Sequence, residues 1–193
     1  MTTASNPGAL DDNGVDDDHD DHDRDGDALQ PDPPRPVNWN LLPADDLHAE
    51  WAELDAWVTW LRRTYGLTAS VVPPYWHRHP ELLWELSALH LHWLSAYHPD
   101  QHGSAPIGWH RDFADARERL RDWTAASGTR LDRDRPTRQT LWPGEQPTPT
   151  HQLQEQTIDD RYIDFLDYVA EQVAERDLLD DWCEDPDQED LDR

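Results

Sequence analysis

Apolar residues recur at alternating spacings of four and three residues in four segments of the chain, and tryptophan occupies several of these positions. In the first segment, Leu47, Trp51, Leu54, Val58 and Leu61 follow this spacing. Side chains spaced in this way lie on one face of an α-helix, whereas a half-buried strand requires strict alternation. The pattern therefore predicts an all-α protein with a tryptophan-rich core.

Proline and glycine indicate where the predicted helices begin and end. Pro43 and Gly66 flank the first segment, Pro80 and Pro99 bound the second, and Gly128 follows the third. Proline suits the first turn of a helix and disfavours the helical conformation in the residue before it, whereas glycine suits the position after the last turn. Helices are predicted over residues 44–65, 80–98, 109–126 and 158–179.

The first three helices are similar in length and are joined by short connections, as in a small antiparallel bundle. We therefore predict an all-α fold in which an antiparallel three-helix bundle spans about 44–126. This bundle belongs to a tryptophan-rich helical domain over 37–143. A Pro-rich linker over 144–157 joins that domain to an amphipathic acidic helix over 158–181.

The fourth helix combines an apolar face with an acidic one. The predicted apolar face consists of Ile158, Tyr162, Phe165, Val169 and Val173. The predicted acidic stripe on the opposite side consists of Asp160, Asp164, Asp167, Glu171 and Glu175. The apolar face allows this helix either to dock on the bundle or to bind a separate partner.

Negative charge is concentrated near the two ends of the chain. The formal net charge is −26, and the stretch 31–150 accounts for only −4 of it, because its sixteen acidic residues face twelve arginines. Segments 1–36 and 182–193 combine many acidic residues with little apolar content. Such segments cannot bury enough surface to fold, so both are predicted to be disordered acidic tails.

Nothing in the sequence predicts export or membrane insertion. The N-terminal residues show no cationic and apolar leader, and no apolar run approaches the roughly 20 residues that a spanning helix needs. Cys183 is the single cysteine, which excludes an intrachain disulfide framework and a multi-cysteine zinc site. A cytoplasmic location is therefore expected.

The tryptophans divide into those on helical stripes and those in loops. The stripe residues, which we predict to be core residues, are Trp51, Trp93, Trp109 and Trp123. Trp39 and Trp76 lie in loops, where they either close the end of the bundle or stack on a ligand or partner. Burying one tryptophan removes roughly 150–250 Å² from water, which contributes about 4–6 kcal/mol before entropy is counted.

Histidines cluster in the middle of the sequence without a metal-binding spacing. His90 and His92 are two residues apart on a helix and so project in nearly opposite directions. His77, His79 and His110 converge only if the fold brings the loop and the third helix together. The N-terminal tract DDDHDDHD lacks the turn glycine and terminal glutamate of a calcium loop. No metal ion and no cofactor are predicted.

Catalytic motifs are absent from the sequence: there is no nucleophile elbow and no Gly-rich phosphate loop. The best acid–base candidate is His79 beside Glu81 and near Arg78, although the same residues suit the start of a helix. We therefore predict a non-enzymatic protein. An uncharacterised enzyme or metal-binding protein is the less favoured alternative.

Three consecutive stretches of the sequence resemble a known family. They are EWAELDAWVTWLRRTYG, VVPPYWHRHPELLWELSALHLHWLSAYHP and SAPIGWHRDFADARERLRDWTAASG. Their most specific features are the two prolines and two aromatic residues that precede His79 and Pro80, and the pair Trp109 and His110. Over roughly 38–143 the chain resembles the actinobacterial domain of unknown function 4913 family, small proteins of plasmids, conjugative elements and phages. The resemblance implies one domain and a mobile-element setting, and it brings no catalytic residues.

The favoured functional class is a non-enzymatic protein–protein adaptor or regulator of a mobile genetic element. The loop before the second helix, expected to be exposed, carries the aromatic and basic residues that are typical of interface hot spots. The predicted partner-binding residues are Pro73, Pro74, Tyr75, Trp76, His77, Arg78 and His79. The sequence does not identify the protein partner.

The alternative class is a nucleic-acid-associated protein. An arm after the third helix carries arginines that are predicted to contact phosphates, namely Arg130, Arg133, Arg135 and Arg138. Asp132, Asp134 and the net negative charge of the domain argue against tight direct binding. A variant is DNA mimicry, in which the acidic ends occupy the basic site of a DNA-binding protein.

Overall fold

A computed structural model describes residues 34–146 and 154–184 of the 193-residue chain. Within these ranges the chain forms four α-helices and one two-stranded sheet. The elements are α1 (Ala44–Thr64), a 3₁₀ turn (Trp76–Arg78), α2 (Pro80–Ala96), α3 (Ala105–Ser127), β1 (Arg133–Asp134), β2 (Gln156–Thr157) and α4 (Arg161–Glu184). The predicted helical character is confirmed, whereas the short sheet was not expected. None of these helices is long and apolar enough to cross a membrane.

Several predictions fall outside the described residues. They concern the acidic N-terminal tail up to residue 33, including the DDDHDDHD tract, the middle of the Pro-rich linker at 147–153, the side chain of Cys183, and the acidic tail beyond Glu184. At the C-terminal side, α4 continues to Glu184, three residues into the segment that was predicted to be a disordered tail.

Local sequence explains where the helices begin. α1 and α2 match their predicted spans to within two residues. α3 begins at Ala105, four residues earlier than predicted, because Pro106 is accommodated in its first turn. α4 begins three residues later than predicted because Asp160 caps it. The Asp160 Oδ1 atom accepts hydrogen bonds from the backbone N–H groups of Tyr162 and Ile163, at 2.8 and 3.2 Å.

The helices pack in a connected series. α2 contacts both α1 and α3, the 3₁₀ turn packs on α2, and α4 packs along α1. The fourth helix therefore docks on the rest of the described protein. A two-residue antiparallel ladder joins the two connecting segments, with Arg133 opposite Thr157 and Asp134 opposite Gln156. This ladder fastens the arm that follows α3 to the segment that leads into α4.

Trp51 of α1 lies at the centre of the core. Its ring centroid is 4.7 Å from that of Trp39, 6.0 Å from Trp76, 6.2 Å from Phe165 and 5.7 Å from Tyr168. These rings come from the segment before α1, the 3₁₀ turn and α4. Trp39 and Trp76 are thus core residues, in agreement with the expectation that loop tryptophans close the end of the helical domain.

Trp123, which was predicted to lie in the core, is 44% exposed. The buried face of α3 continues from Leu120 to Thr124 and Ser127. The core position after Leu120 is occupied by Thr124, whose hydroxyl donates to the carbonyl oxygen of Val71 at 3.4 Å, and Trp123 lies beside it on the exposed flank of the helix. The alternating pattern of four and three therefore fails at this end of α3.

α4 turns inward a partly different set of side chains from the predicted one. Phe165 and Val169 are buried as expected, but Tyr162 is 62% exposed. Asp164, assigned to the outer acidic stripe, faces the protein interior, with its side chain only 9% exposed. Arg161 and Asp164 flank Phe165 and form ion pairs with neighbouring elements, and these ion pairs set the rotation of the helix.

We predict opposite effects of two alanine substitutions in and after α3. Gly128 adopts a left-handed conformation (φ 79°), and a Cβ there collides with the Arg135 guanidinium. Gly108 lies inside the helix with open space around its Cβ position. Gly128→Ala is expected to lower the free energy of unfolding by about 1–2 kcal/mol. Gly108→Ala should raise it by about 0.5–1 kcal/mol.

Urea unfolding followed by tryptophan fluorescence measures both changes. An unchanged stability in Gly128→Ala, or a loss of stability in Gly108→Ala, contradicts this account of how α3 is formed and terminated.

Candidate functional site

The segment 73–79, predicted to be an exposed binding loop, is buried. Tyr75, Trp76, His77 and His79 are each at most 2% exposed, Pro73 is also buried, and Pro74 and Arg78 are half-buried. The prediction of an exposed loop is therefore wrong. The physical reason is that α4 and the arm after α3 cover the segment, so its aromatic rings lose contact with water and join the core.

Tyr75 connects the two covering segments. Its hydroxyl group lies 3.2 Å from the carbonyl oxygens of both Leu131, in the arm after α3, and Ile158, just before α4. The ring is buried, and the hydroxyl reaches backbone acceptors that would otherwise lack a partner at this position. Tyr75 thus helps to hold the β1–β2 ladder against the 3₁₀ turn.

Asp164 of α4 clamps two consecutive residues of the 3₁₀ turn. Its Oδ2 atom lies 2.9 Å from the Nε2 atom of His77 and accepts a hydrogen bond of 2.9 Å from the Nε atom of Arg78. The Nη2 atom of Arg78 also donates to Asp164 Oδ1, so the guanidinium binds the carboxylate in a bidentate manner. Burial acts to raise the pKa of Asp164, but the hydrogen bonds from Arg78 and His77 outweigh it and hold that pKa below its usual value.

His77 is neutral in this environment. Burial lowers its pKa to about 4, although the hydrogen bond to Asp164 acts in the opposite direction. Its Nδ1 atom is buried and has no hydrogen-bond partner. A neutral ring that donates through Nε2 and leaves Nδ1 unprotonated fits both observations, because a second N–H would be a buried donor without an acceptor.

His79 belongs to a separate polar chain. Its Nε2 atom lies 2.9 Å from Asp134 Oδ1, and its Nδ1 atom lies 3.0 Å from the hydroxyl oxygen of Thr137. The Thr137 hydroxyl in turn donates to Glu81 Oε1. The chain Asp134–His79–Thr137–Glu81 ties the arm after α3 to the first turn of α2.

The order carboxylate, imidazole, hydroxyl in this chain is that of a nucleophilic relay. The Thr137 hydroxyl donates its proton to Glu81, however, so the proton is not directed to the imidazole. The described cavities, of about 400, 520 and 220 Å³, are lined by residues other than His79 and Thr137. The arrangement fastens the arm after α3 to the first turn of α2 by joining Asp134, His79, Thr137 and Glu81.

The four arm arginines have different surroundings. Arg133 pairs with Asp132 at 3.1 Å and with Glu155 at 3.5 Å, and Arg135 is half-buried over Gly128. Arg130 donates to the carbonyl oxygen of Thr129 at 3.1 Å, and Arg138 is exposed. The four guanidinium groups thus differ in partners and exposure, and phosphate contact by the whole set stays a prediction.

An aromatic surface patch is formed by Trp60 of α1 and by Trp93 and Tyr97 of α2. The ring centroid of Trp93 lies 5.1 Å from that of Trp60 and 5.5 Å from that of Tyr97. Trp60 is 38% exposed, Tyr97 is 46% exposed and Trp93 is half-buried. Trp57, which is buried, packs behind them with its ring 6.4 Å from that of Trp60. Trp93 was predicted to lie in the core, and the patch itself was not predicted from the sequence.

Metal-binding geometry is not found among the described side chains, since no group of three or more His, Cys, Asp or Glu residues is placed to hold an ion. His77 and His79 point to different carboxylates. His110 contacts the rings of Tyr65 and Trp109 instead of joining them.

No family model, curated protein or solved structure matches this chain. The resemblance of residues 38–143 to the domain of unknown function 4913 family therefore stays a prediction.

We predict that the Asp164 clamp stabilises the docked α4. Asp164→Asn leaves the half-buried Arg78 without its carboxylate and should lower the free energy of unfolding by about 2–4 kcal/mol. Asp167→Asn, three residues later on the exposed side, is the matched control and should change it by less than about 0.5 kcal/mol. Urea unfolding gives both values, and hydrogen exchange should show faster exchange in α4 only for Asp164→Asn. Equal effects of the two substitutions contradict the clamp.

The buried His77 predicts a pH-dependent stability. Unfolded histidine binds a proton below about pH 6.5, whereas folded His77 does so only below about pH 4. The unfolded state thus binds more protons between these values, and stability falls as pH is lowered through this window. His77→Gln keeps an N–H donor for Asp164 and should reduce the fall by about 1–2 kcal/mol. The exposed control His48→Gln should leave it unchanged, as measured by urea unfolding at several pH values.

Proposed function

We propose that this protein is a non-enzymatic protein–protein adaptor that binds a basic segment of another protein through the patch Trp60–Trp93–Tyr97. Helices α1, α2 and α3 would form an antiparallel bundle that presents the patch in the cytoplasm. The carrying observation is that the half-buried ring of Trp93 contacts the rings of both Trp60 and Tyr97, which are exposed.

Contiguous exposure of aromatic rings favours a binding surface over a packing accident. Single exposed apolar residues are ordinary, whereas grouped ones leave apolar area in water that a partner can cover. Tryptophan and tyrosine are also the residues most often found at the energetic centre of protein interfaces. Trp57 beneath the patch keeps the rings in fixed positions, which lowers the entropy lost on binding.

The negative charge of the chain favours a positively charged partner. A net charge of −26 attracts basic proteins over long range and speeds their association. The faces of tryptophan and tyrosine rings attract guanidinium and ammonium groups at short range. Glu53, whose side chain is 61% exposed, lies 3.8 Å from His90. The His90 ring is tilted against Trp57 at 4.8 Å and stacks with Trp93 at 6.4 Å, so this carboxylate is close to the patch.

The genomic setting is part of the proposal. The resemblance of residues 38–143 to the domain of unknown function 4913 family supports an adaptor or regulator of a mobile genetic element. Basic proteins that handle nucleic acid are then the natural partners, since such proteins carry the positive surfaces that this chain attracts.

DNA mimicry is the second candidate, and one observation favours it. Asp167, Glu171 and Glu175 follow one another at intervals of four residues along the exposed face of α4. Carboxylates that recur about every 6 Å along the helix axis present a regular row of negative charge, as the phosphates of DNA do at a closer spacing. Asp160 and Asp164 are not available for this role, because Asp160 caps α4 and Asp164 binds the 3₁₀ turn.

The adaptor is tested by retention of proteins from a nuclease-treated lysate of the native host. Trp60→Ala and Tyr97→Ala should each reduce the amount of retained partner about tenfold, since each removes a hot-spot ring. Trp123→Ala is the matched control, because Trp123 is similarly exposed (44%) but has no ring partner among the described aromatic residues. Mass spectrometry should identify a partner with an isoelectric point well above 7.

Failure to retain any protein, or an equal loss with Trp123→Ala, overturns the adaptor. A partner that is lost on Asp167→Asn, Glu171→Gln and Glu175→Gln together, but kept by Trp60→Ala, favours DNA mimicry instead.

A further inference from the structure

Two neighbouring cavities adjoin Leu131 in the arm after α3. The first has a volume of about 400 Å³ and the second of about 520 Å³. They share the walls Ala69, Pro73 and Leu131, and neither is lined by a residue of the aromatic patch. We refer to these two cavities together as the Leu131 groove. Volumes of this size are typical of small-molecule sites.

Arginines without carboxylate partners line the Leu131 groove. Arg62 and Arg161 line the first cavity, and Arg121 and Arg130 line the second. Arg161 binds Asp55. Within the described ranges, the side chains of Arg62 and Arg121 form no ion pair or hydrogen bond, and the side chain of Arg130 donates only to the backbone carbonyl of Thr129. Asp122 is the one acidic residue of the second cavity, against two guanidinium groups.

The lining of the groove carries more positive than negative charge. It contains four arginines and one acidic residue, Asp122, and of these arginines Arg161 alone binds a carboxylate. The chain as a whole has 42 acidic residues for 16 arginines. The groove therefore has positive potential in a strongly negative protein.

Thr129 provides an independent indication of a ligand. It lines the second cavity, is only 4% exposed, and its hydroxyl oxygen is buried without a hydrogen-bond partner. A buried hydroxyl that makes no hydrogen bond is destabilising. The Thr129 hydroxyl is therefore an unused donor beside the second cavity.

We propose that the Leu131 groove binds a small organic phosphate. The phosphate group lies in the second cavity, where Arg121 and Arg130 donate to its oxygens and the Thr129 hydroxyl donates to a further one. Planar guanidinium groups match phosphate oxygens in bidentate geometry. The organic part lies against Pro73 and Leu131 and extends towards Arg62. This binding site is separate from the proposed adaptor surface.

The small size of the groove favours a small molecule over a nucleic-acid strand. A strand needs an extended basic track, whereas the stretch 31–150 around the groove has a net charge of −4. Two adjoining cavities of a few hundred Å³ accommodate a phosphate and one attached apolar or ring-shaped group.

Isothermal titration calorimetry of the full chain tests the site, with adenosine monophosphate and inorganic phosphate as probes. Adenosine monophosphate should bind more tightly than inorganic phosphate. Arg121→Ala and Arg130→Ala should each weaken its binding by about tenfold or more, since each removes a charged hydrogen bond. Arg138→Ala is the control, because Arg138 lies on the same arm as Arg130 but does not line the groove, and this substitution should leave the affinity unchanged.

Thr129→Val separates binding from folding. It should weaken binding of adenosine monophosphate by about three- to tenfold, while the melting temperature of the free protein stays the same or rises, because the hydroxyl makes no bond there.

Three outcomes overturn the proposal. They are no binding of adenosine monophosphate, equal binding by wild type and the Arg121 and Arg130 variants, and tighter binding of a DNA duplex than of adenosine monophosphate. Trp60→Ala should bind adenosine monophosphate like wild type, so failure of the adaptor and failure of the groove are distinguishable.

Discussion

The contact of four aromatic rings with Trp51 is the interaction on which the rest of the structure depends. Trp39, Trp76, Phe165 and Tyr168 reach this one indole from three other parts of the chain. Few β-branched residues are available to build a core, so large rings supply the buried area. Their polar atoms bring a cost, since the indole N–H groups of Trp39, Trp51 and Trp57 are buried without acceptors. The apolar area around each of these groups outweighs that cost.

Charged side chains then determine how the outer elements sit on this core. Asp164 binds the 3₁₀ turn, Arg161 binds Asp55 of α1, and Arg176 donates to the carbonyl oxygens of residues 39, 40 and 42 at 2.7–3.2 Å. Partly buried ion pairs add little net stability, but an unpaired partner is costly. They therefore act by excluding other rotations of α4. The same logic explains why α4, which has two buried apolar residues among its described side chains, Phe165 and Val169, still docks in one orientation.

Helices were predictable because their pattern is local. α1 and α2 were placed to within two residues, since proline, glycine and apolar spacing act over one or two turns. The contacts of the candidate site were not predictable, because they join residues far apart in sequence. His77 and Asp164 are 87 residues apart, and His79 and Asp134 are 55 residues apart. The aromatic residues of the loop 73–79 were predicted to be functionally important surface residues, but they are buried. The sequence alone does not distinguish an aromatic ring that a later segment covers from an aromatic ring that remains exposed to water.

The docking of α4 along α1 also determines when the protein can finish folding. Arg161 and Asp55 are 106 residues apart, and the backbone N–H of Ala44 donates to Asp180 over 136 residues. During synthesis, α1, the 3₁₀ turn and α2 leave the ribosome well before α4. Until α4 arrives, Trp51 and Trp76 lack the cover of Phe165 and Tyr168. Contacts between residues far apart in sequence also slow folding. The nascent chain therefore exposes aggregation-prone tryptophan rings until α4 has been synthesised and has docked.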